Sequence, residues 1–158
     1  MTTTFDTAKG TRGARQPKGR LMLWLNAFMM KRMRSSGGKN PMGFSTLILT
    51  TTGRKSGVAR TSPVGWFPDG NGNWLIAASA NGAADNPAWY YNLKAAPDKA
   101  SIEVDGAAIP VTAQQLHGAE RAAAWQSITA AVPRFAKYAV KTDREIPVIR
   151  LTRRDAPA

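Results

Sequence analysis

Short β-branched and apolar segments, separated by glycine-containing turns, constrain the fold of this chain most strongly. We predict strands over Ser45–Thr52, Val58–Phe67 and Trp74–Ser79, because their compositions favour extended backbone. The connections, residues 53–57 and 69–73, have the glycine and asparagine content typical of hairpin turns. Such short turns join antiparallel strands, whereas parallel strands need long crossover connections. The segment from 45 to 79 is therefore predicted to be an antiparallel meander.

The second half of the chain alternates helical and extended patterns. Asp85 or Asn86 is expected to cap the first helix of this half, with Pro87 in its first turn. Two strands joined by Asp105-Gly106 follow, then a helix, a segment that could form a further short helix, and a last strand. The predicted bounds are Ser101–Val104 and Ala108–Ala113 for the hairpin, Gly118–Ala131 and Pro133–Lys141 for the helices, and Ile146–Leu151 for the last strand.

The resulting order, β-β-β-α-β-β-α-β, places the chain in the α+β class with mainly antiparallel β structure. It favours a small barrel of about six strands, with two to four helices packed outside, over a doubly wound parallel sheet. Pro63 lies inside the second strand and indicates an edge, a bulge or a bend there. A length of 158 residues predicts one such domain.

Positive charge is concentrated near the N-terminus. The formal net charge is +12, and residues 1–40 hold nine basic residues against one acidic residue. We predict a disordered basic tail over residues 1–20, and an amphipathic basic helix with a linker over residues 21–40. Residues 41–152 are then the barrel domain, and residues 153–158 are a C-terminal tail.

The apolar part of residues 21–34 covers ten positions, which is too short to span a bilayer. Two compatible interpretations remain for this predicted helix: it packs on its own domain, or it lies on an anionic membrane surface. The segment lacks the features of a signal peptide. The expected location is therefore cytoplasmic, with peripheral contact at the inner face of the plasma membrane through residues 1–40.

The chain has no cysteine and a single histidine, His117. This composition excludes thiol nucleophiles, disulfides, iron–sulfur clusters, cysteine-based zinc sites and histidine clusters. Paired carboxylates at a useful spacing and nucleophile motifs of the G-x-S-x-G type are also missing. We predict no metal site, and an enzyme with this composition would depend on a bound cofactor for its chemistry.

The hairpin sequence Gly53-Arg54-Lys55-Ser56-Gly57, with Arg60 three residues further on, combines glycines with cations. Glycines let successive backbone N–H groups converge on an anion, and the basic side chains add positive charge. The pattern suits a phosphate, although the spacing is not that of a nucleotide P-loop. A hairpin tip with solvated cations is the alternative interpretation.

Two further motifs combine small residues, an aromatic ring and an amide. Small residues at positions 77–82, Ala77-Ala78-Ser79-Ala80-Asn81-Gly82, would let a flat ligand approach the backbone; ordinary strand packing before a turn is the alternative. Trp89 and Asn92 are three residues apart and share a helix face. They could stack on and hydrogen-bond to a ring system, or Trp89 could simply belong to the core.

Taken together and in this order, the motifs resemble those of the deazaflavin-dependent nitroreductase family of actinobacteria. That family has a split β-barrel, an FMN-binding-like roll, in agreement with the predicted strand order. The resemblance covers roughly residues 44–151, and the segments that carry it are LTTTGRKSG at 49–57, Arg60 with Ser62-Pro63, AAS at 77–79, NPAWYYNLKAAP at 86–97 and TDREIPV at 142–148.

The resemblance implies binding of the deazaflavin coenzyme F420, which carries a phosphate and an anionic oligoglutamate tail. The basic hairpin would hold the anionic part, the small-residue segment would meet the ring and its linker, and the helix after it would form the far wall. The cofactor-binding residues implied in this way are Arg54, Lys55, Ser56, Arg60, Ser62, Pro63, Ala77, Ala78, Ser79, Ala80, Ala88, Trp89 and Asn92.

The implied activity is hydride transfer from reduced F420 to a small electron-poor acceptor such as a quinone, an enone or lactone, or a nitro compound. Relatives that activate nitroimidazoles line their substrate pocket with tyrosines. Gly65, Val132 and Phe135 stand at those positions here, and only Tyr138 is kept. The missing hydroxyls count against reduction of nitro drugs, and Tyr138 is the candidate proton donor.

Two other classes of function remain open from the sequence. The net charge is compatible with a non-enzymatic basic module that binds nucleic acid or a membrane surface. Because residues 41–158 hold 13 basic and nine acidic residues, their small excess counts against a specific nucleic-acid partner. An FMN- or haem-binding relative of the same barrel is the other alternative.

Overall fold

The computed structural model describes residues 5–15, 20–35 and 45–154, and six antiparallel strands form its centre. Their bounds are Ser45–Thr52 (β1), Ala59–Pro68 (β2), Trp74–Ala77 (β3), Ala100–Val104 (β4), Ala107–Gln115 (β5) and Val148–Arg153 (β6). They close into a barrel in the order β1-β2-β3-β6-β5-β4. The prediction of an α+β fold built on about six mainly antiparallel strands is confirmed.

Within the described ranges, four α-helices accompany the barrel, in agreement with the predicted two to four. Their bounds are Arg20–Ser35 (α1), Ala88–Ala95 (α2), Gly118–Ala131 (α3) and Arg134–Lys141 (α4), and a 3₁₀ turn spans Ala80–Gly82. The predicted cap of α2 is wrong. Pro87 stands at the capping position without a side-chain cap, because Asp85 and Asn86 hydrogen-bond elsewhere.

The pairing of β2 explains how the barrel tolerates a proline. The β1–β2 ladder runs over the full length of β1 and includes the pair Ile48–Pro63. The β2–β3 ladder contains only Phe67–Leu75 and Pro68–Trp74. Among the described strands, residues 59–66 of β2 therefore pair with β1 alone. Pro63 therefore lies where β2 has one free side, which agrees with the edge position that was one of the predicted options.

Two apolar clusters stabilise the domain. The larger one fills the barrel and extends to α2, and it includes the fully buried Leu49, Tyr90 and Ile149. The smaller one lies between the barrel and the helices α3 and α4, where Ile128 and Phe135 pack with residues of β2, β3 and β6. These clusters fix α2 and α4 on the barrel, which matters because both helices contribute to the candidate site.

Residues 5–15 pack against the domain, in contrast to the disordered basic tail predicted for residues 1–20. Phe5 is 4% exposed and its ring centroid lies 5.6 Å from that of Tyr90. The Thr7 N–H donates to the Tyr90 hydroxyl (3.0 Å), and the Gly10 N–H donates to the Ala84 carbonyl (2.7 Å). The composition of the segment did not reveal these backbone hydrogen bonds or the single buried ring. Residues 1–4 and 16–19 lie outside the described residues.

The remaining predicted boundaries agree with the structure to within a residue or two where they can be compared. Helix α1 begins at Arg20 and ends at Ser35, and it lies beside β2. Strand β6 ends at Arg153, one residue beyond the predicted domain boundary. The predicted linker at 36–40 and the end of the predicted tail, 155–158, lie outside the described residues. No helix in the described ranges is long and apolar enough to cross a membrane.

Asp143, in the loop after α4, holds the N-terminal segment in place. Its carboxylate accepts hydrogen bonds from the Thr11 hydroxyl, the Thr11 N–H (2.8 Å) and the Arg12 N–H (3.3 Å). The hydrogen bonds from Thr11, with that from Arg12, lower the pKa of Asp143 from its ordinary value of 3.8 to about 2. Because the pKa is lower in the folded chain, the ionised carboxylate stabilises the fold.

We expect Asp143→Ala to lower the stability of the chain at neutral pH, as measured by urea unfolding. The sign of the pKa shift makes this stabilisation complete above pH 3.8 and progressively lost as the pH falls towards about 2. The difference in unfolding midpoint between wild type and variant should therefore shrink over that range. Asp98→Ala, in the exposed turn after α2, is the control. A difference that stays constant down to pH 2 would contradict this role.

Candidate functional site

The turn between β1 and β2 presents cations at one end of the barrel. It closes with a hydrogen bond from the Gly57 N–H to the Gly53 carbonyl (2.8 Å), and Gly57 has a φ of +72°. A Cβ atom on Gly53 would lie 2.7 Å from the Ser56 Oγ and 3.1 Å from the Val58 carbonyl oxygen, so the turn favours glycine at 53 by its close packing and at 57 by its positive φ. The side chains of Arg54 and Lys55 are exposed at its tip.

Arg60 extends the positive surface from the turn into β2. It is exposed and pairs across the ladder with Thr51 of β1. Further along β2, Ser62 and Pro63 are half-buried and pair with Leu49 and Ile48. The predicted anion-binding residues thus follow one continuous hairpin, with cations at its tip and smaller, less exposed side chains further from it. Such a surface can bind a phosphate and other anionic groups.

Helix α2 is joined to this hairpin through Asn92. The Arg54 N–H donates to the Asn92 Oδ1 (3.1 Å), and the Asn92 Nδ2 donates to the Thr51 Oγ1 (3.0 Å). Asn92 is 6% exposed and Thr51 is 2% exposed. The Arg54 guanidinium also lies 4.9 Å from the centroid of the Tyr91 ring, within the range of a cation–π interaction. Two motifs that are about 40 residues apart in sequence therefore meet in space.

The small-residue segment begins where β3 ends, at Ala77. Ala78 is completely buried, with its methyl group in the barrel core, and its N–H donates to the Pro147 carbonyl (2.9 Å). Ala77, Ser79 and Ala80 are half-buried. Of the four residues predicted to contact the ring, Ala78 is therefore a core residue that supports the segment. The other three keep part of their surface exposed.

The backbone after Ser79 turns sharply and packs against α4. Ala80 and Asn81 have φ values of +46° and +55°, in the left-handed region that side chains rarely adopt. At Gly82, an added Cβ would lie 2.9 Å from the Cβ of Lys141 and 3.0 Å from the Tyr138 carbonyl oxygen. This close approach requires glycine and brings α4 next to the small-residue segment.

Tyr138, the predicted proton donor, lies on α4. Its side chain is half-buried, and its ring contacts Phe135 edge to face at a centroid distance of 5.6 Å. The Lys141 ammonium lies 5.7 Å from the centroid of the Tyr138 ring. Val132 and Phe135 are 6% and 7% exposed, so the neighbouring part of the second cluster is apolar.

The predicted far wall divides into two kinds of residue. Ala88, the first residue of α2, is exposed. Trp89 is 9% exposed and packs in the barrel cluster, which agrees with the alternative that it belongs to the core. Asn92 is occupied by the hairpin hydrogen bonds described above. The shared helix face of Trp89 and Asn92 therefore points towards the protein.

Sequence reasoning missed a buried arginine at the centre of this region. Arg144 is 6% exposed, and its guanidinium donates three hydrogen bonds. The acceptors are the Ser79 carbonyl (2.9 Å), the Ala83 carbonyl (3.0 Å) and the Asn86 Oδ1 (2.9 Å). Asp143-Arg144-Glu145 reads as a solvated charged turn in the sequence, and only its place in the motif TDREIPV drew attention to it.

The buried polar groups continue from Arg144 towards Arg54. The Asn86 Nδ2 donates to the Tyr91 hydroxyl (3.3 Å), which in turn donates to the Asp85 carboxylate. Burial raises the pKa of Tyr91, and the Asp85 carboxylate raises it further, so the hydroxyl keeps its proton. Burial lowers the pKa of Arg144, whereas Tyr91, Asp85 and Tyr90 raise it. Arginine nevertheless remains charged in proteins.

The chain as a whole is similar to known proteins. A family model described as F420H(2)-dependent quinone reductase matches residues 24–153. An F420H(2)-dependent quinone reductase of Mycobacterium tuberculosis is 39% identical over 121 residues, which cover 75% of this chain and 80% of the relative.

Solved structures agree with this assignment. The structure of an F420-H2 dependent reductase, FDR-A, superposes with a TM-score of 0.61 at 38% identity, covering 68% of this chain and 93% of that chain. A domain-swapped dimer superposes with a TM-score of 0.63 at 32% identity, covering 82% of this chain and 97% of that chain. The predicted split β-barrel is confirmed, and the chain belongs to the F420H(2)-dependent quinone reductase family.

Proposed function

We propose that this chain binds reduced coenzyme F420 between the basic hairpin and the small-residue segment and uses it to reduce a quinone or a similar electron-poor acceptor. Family membership supports the cofactor and the reaction class. The observation that carries the placement is that α2 is joined to both motifs. Asn92 binds the hairpin, and Tyr91 is linked through Asn86 and Arg144 to the turn that follows β3.

The residues present fit the chemistry of this cofactor. Its phosphate and oligoglutamate groups are anions, and Arg54, Lys55 and Arg60 are exposed cations on one hairpin. Ser56 supplies a hydroxyl at the tip. We assign these four residues to the anionic part of the cofactor, and Ser62 and Pro63 to the adjoining stretch of β2.

The ring side of the proposed site is formed by small side chains. Ala77, Ser79 and Ala80 leave room for a flat ring close to the backbone, with Ala78 as their support. Ala88 forms the exposed part of the opposite wall. Behind that wall, the buried Trp89 and Asn92 hold α2 in position, so their contribution to binding is through the helix they anchor. The thirteen predicted cofactor-binding residues thus separate into those proposed to contact the cofactor and those that support them.

When bound, the reduced deazaflavin supplies a hydride from its C5 atom, and a proton from a donor or from water completes reduction of the acceptor. The chain orients the two reactants and excludes water from the reacting face. Tyr138 is the proposed proton donor, since it is half-buried on the helix that packs against Gly82. Val132 and Phe135 lie in the apolar cluster against which Tyr138 packs, and such surroundings suit an apolar conjugated acceptor such as a quinone.

Removing a hairpin cation should weaken cofactor binding. We expect Arg54→Ala to raise the Kd for F420 by about tenfold to a hundredfold, because a charge-assisted hydrogen bond contributes about 1.5–3 kcal/mol. Fluorescence titration of the cofactor measures this change. Arg153→Ala, an exposed arginine at the end of β6, should leave the Kd unchanged.

The same titration separates this proposal from the alternatives. Wild type should bind FMN much more weakly than F420, and the purified protein should show no haem absorbance. Failure of wild type to bind F420 would refute the proposal. Equal binding of FMN, a haem spectrum, or nucleic-acid binding without cofactor binding would support the corresponding alternative instead.

Tyr138→Phe tests the proposed proton donor. Loss of a positioned acid typically slows a reaction by about a hundredfold or more, and we expect kcat for quinone reduction to fall by at least tenfold. The Kd for F420 should stay the same, because the hydroxyl is not assigned to cofactor binding. Stopped-flow measurement of cofactor oxidation gives the rate. An unchanged kcat in the variant would assign protonation to water.

A second proposed property is peripheral binding to anionic membranes through α1. Leu21, Trp24 and Phe28 are 58%, 62% and 46% exposed, and their spacing puts them on one side of the helix. The rings of Trp24 and Phe28 stack at a centroid distance of 5.8 Å. The Arg32 guanidinium lies 5.9 Å from the centroid of Phe28. An exposed aromatic stripe bordered by cations is typical of helices that lie at a lipid surface.

We expect cosedimentation with phosphatidylglycerol vesicles to fall several-fold in the double variant Trp24→Asn and Phe28→Asn, and to fall with added salt in wild type. Val140→Asn is the matched control, because Val140 is 74% exposed but lies on α4. Equal sedimentation of wild type and double variant would show that α1 does not mediate membrane contact.

A further inference from the structure

We infer that Arg144 is a positioning residue that couples the two halves of the cofactor site, the small-residue segment and the basic hairpin. This inference rests on the proposed function, since it concerns the same site. It assigns a role to a side chain that does not reach the hairpin itself. The role depends on a continuous series of hydrogen bonds and one ring contact between Arg144 and Arg54.

The first part of the proposed coupling is the set of hydrogen bonds by which Arg144 fixes the turn after β3. Two of its nitrogen atoms donate to the carbonyls of Ser79 and Ala83, on either side of the 3₁₀ turn. Between them, Ala80 and Asn81 adopt left-handed backbone conformations. Such conformations persist only when the surrounding structure enforces them. The guanidinium clamps both ends of this unfavourable turn and so determines the path of the proposed ring-contacting backbone.

The second part of the proposed coupling is the series of contacts that leads from Arg144 through Asn86 and Tyr91 to Arg54 of the hairpin. Its third nitrogen donates to the Asn86 Oδ1, and the Asn86 Nδ2 donates to the Tyr91 hydroxyl. The ring of Tyr91 lies beneath the Arg54 guanidinium at 4.9 Å from its carbon to the ring centroid. The Tyr91 hydroxyl is thus held between Asn86 and the Asp85 carboxylate, which also accepts from the Asn86 N–H (2.8 Å), and the Tyr91 ring contacts Arg54.

The chemistry of Arg144 suits this role better than a general stabilising role. Its three hydrogen bonds go to neutral oxygens on three different residues, and none goes to a carboxylate. The planar guanidinium holds its donors in a rigid fork, so it fixes the acceptors relative to one another. A lysine would keep the charge but would present its donors from one point, and it could not hold the same three oxygens in place.

The test compares Arg144→Lys and Tyr91→Phe with Arg121→Lys as the matched control. Arg121 is also partly buried, donates to the Ile146 carbonyl (2.8 Å) and lies on α3 outside the series. We expect Arg144→Lys to raise the Kd for F420 by about tenfold, because small displacements of binding groups have large effects on productive geometry. Tyr91→Phe keeps the ring but removes the hydroxyl, and it should raise the Kd by about threefold.

A merely structural role would change the thermal midpoint without coupling to Arg54, so a double-mutant cycle provides the decisive measurement. In an Arg54→Ala background, Tyr91→Phe should leave the Kd nearly unchanged, and the effect of Arg144→Lys should be reduced. Arg121→Lys should lower the thermal midpoint and leave the Kd at its wild-type value in both backgrounds.

Two outcomes would overturn the inference while the proposed function stands. Wild-type Kd values in both Arg144→Lys and Tyr91→Phe would show that the series does not position the site. Equal, additive effects on the Kd with and without Arg54 would show that Arg144 affects binding independently of Arg54 and does not couple the two halves of the site. If Arg144→Lys does not fold, the Tyr91→Phe cycle with Arg54→Ala decides the question. Wild type that fails to bind F420 would instead refute the proposed function, and the inference with it.

Discussion

Antiparallel pairing between β3 and β6 is the interaction on which the candidate site depends. The ladder pairs Ala77 with Val148, and the hydrogen bond from the Ala78 N–H to the Pro147 carbonyl extends it beyond β3. The residues just before β6 are therefore held beside the turn that follows β3. Arg144 comes to lie under that turn because it precedes the paired strand by only a few residues. Barrel closure thus supplies both the small-residue surface and the group that holds it.

The other half of the site depends on a buried amide. Asn92 of α2 accepts from the backbone of the hairpin and donates to β1, so its polar groups are satisfied away from water. Buried polar groups with complete hydrogen bonding specify one geometry, because any displacement leaves one of them unpaired. A chain with no cysteine and one histidine has few reactive side chains, and its contribution to the proposed reaction is the placement of a cofactor and an acceptor.

Predictions that rest on short-range sequence signals agree with the structure, whereas those that depend on contacts between distant segments do not. The hairpins and the bounds of α3 were predictable because their signals are local, and an edge, where Pro63 lies, was one of the three options that this proline left open. The capping of α2 was predicted wrongly because Asn86 binds Thr7 and Arg144, which come from distant segments, and Asp85 accepts from the Tyr91 hydroxyl of α2 itself. The packing of residues 5–15 was missed because composition averages over a segment, whereas its position depends on Phe5 and on backbone hydrogen bonds.

The sequence by itself determined the antiparallel barrel, the cationic hairpin and the order of motifs that identifies the family. Periodicity, turn residues and motif spacing are properties of the local sequence, so they can be recognised without knowing which segments pack together. Only the tertiary structure decided that Trp89 lies in the core, that Asn92 joins α2 to the hairpin, and that Arg144 is buried beneath the turn after β3. The physical reason is that burial and hydrogen-bond partners of these residues come from segments far away in sequence, which meet only when the barrel closes.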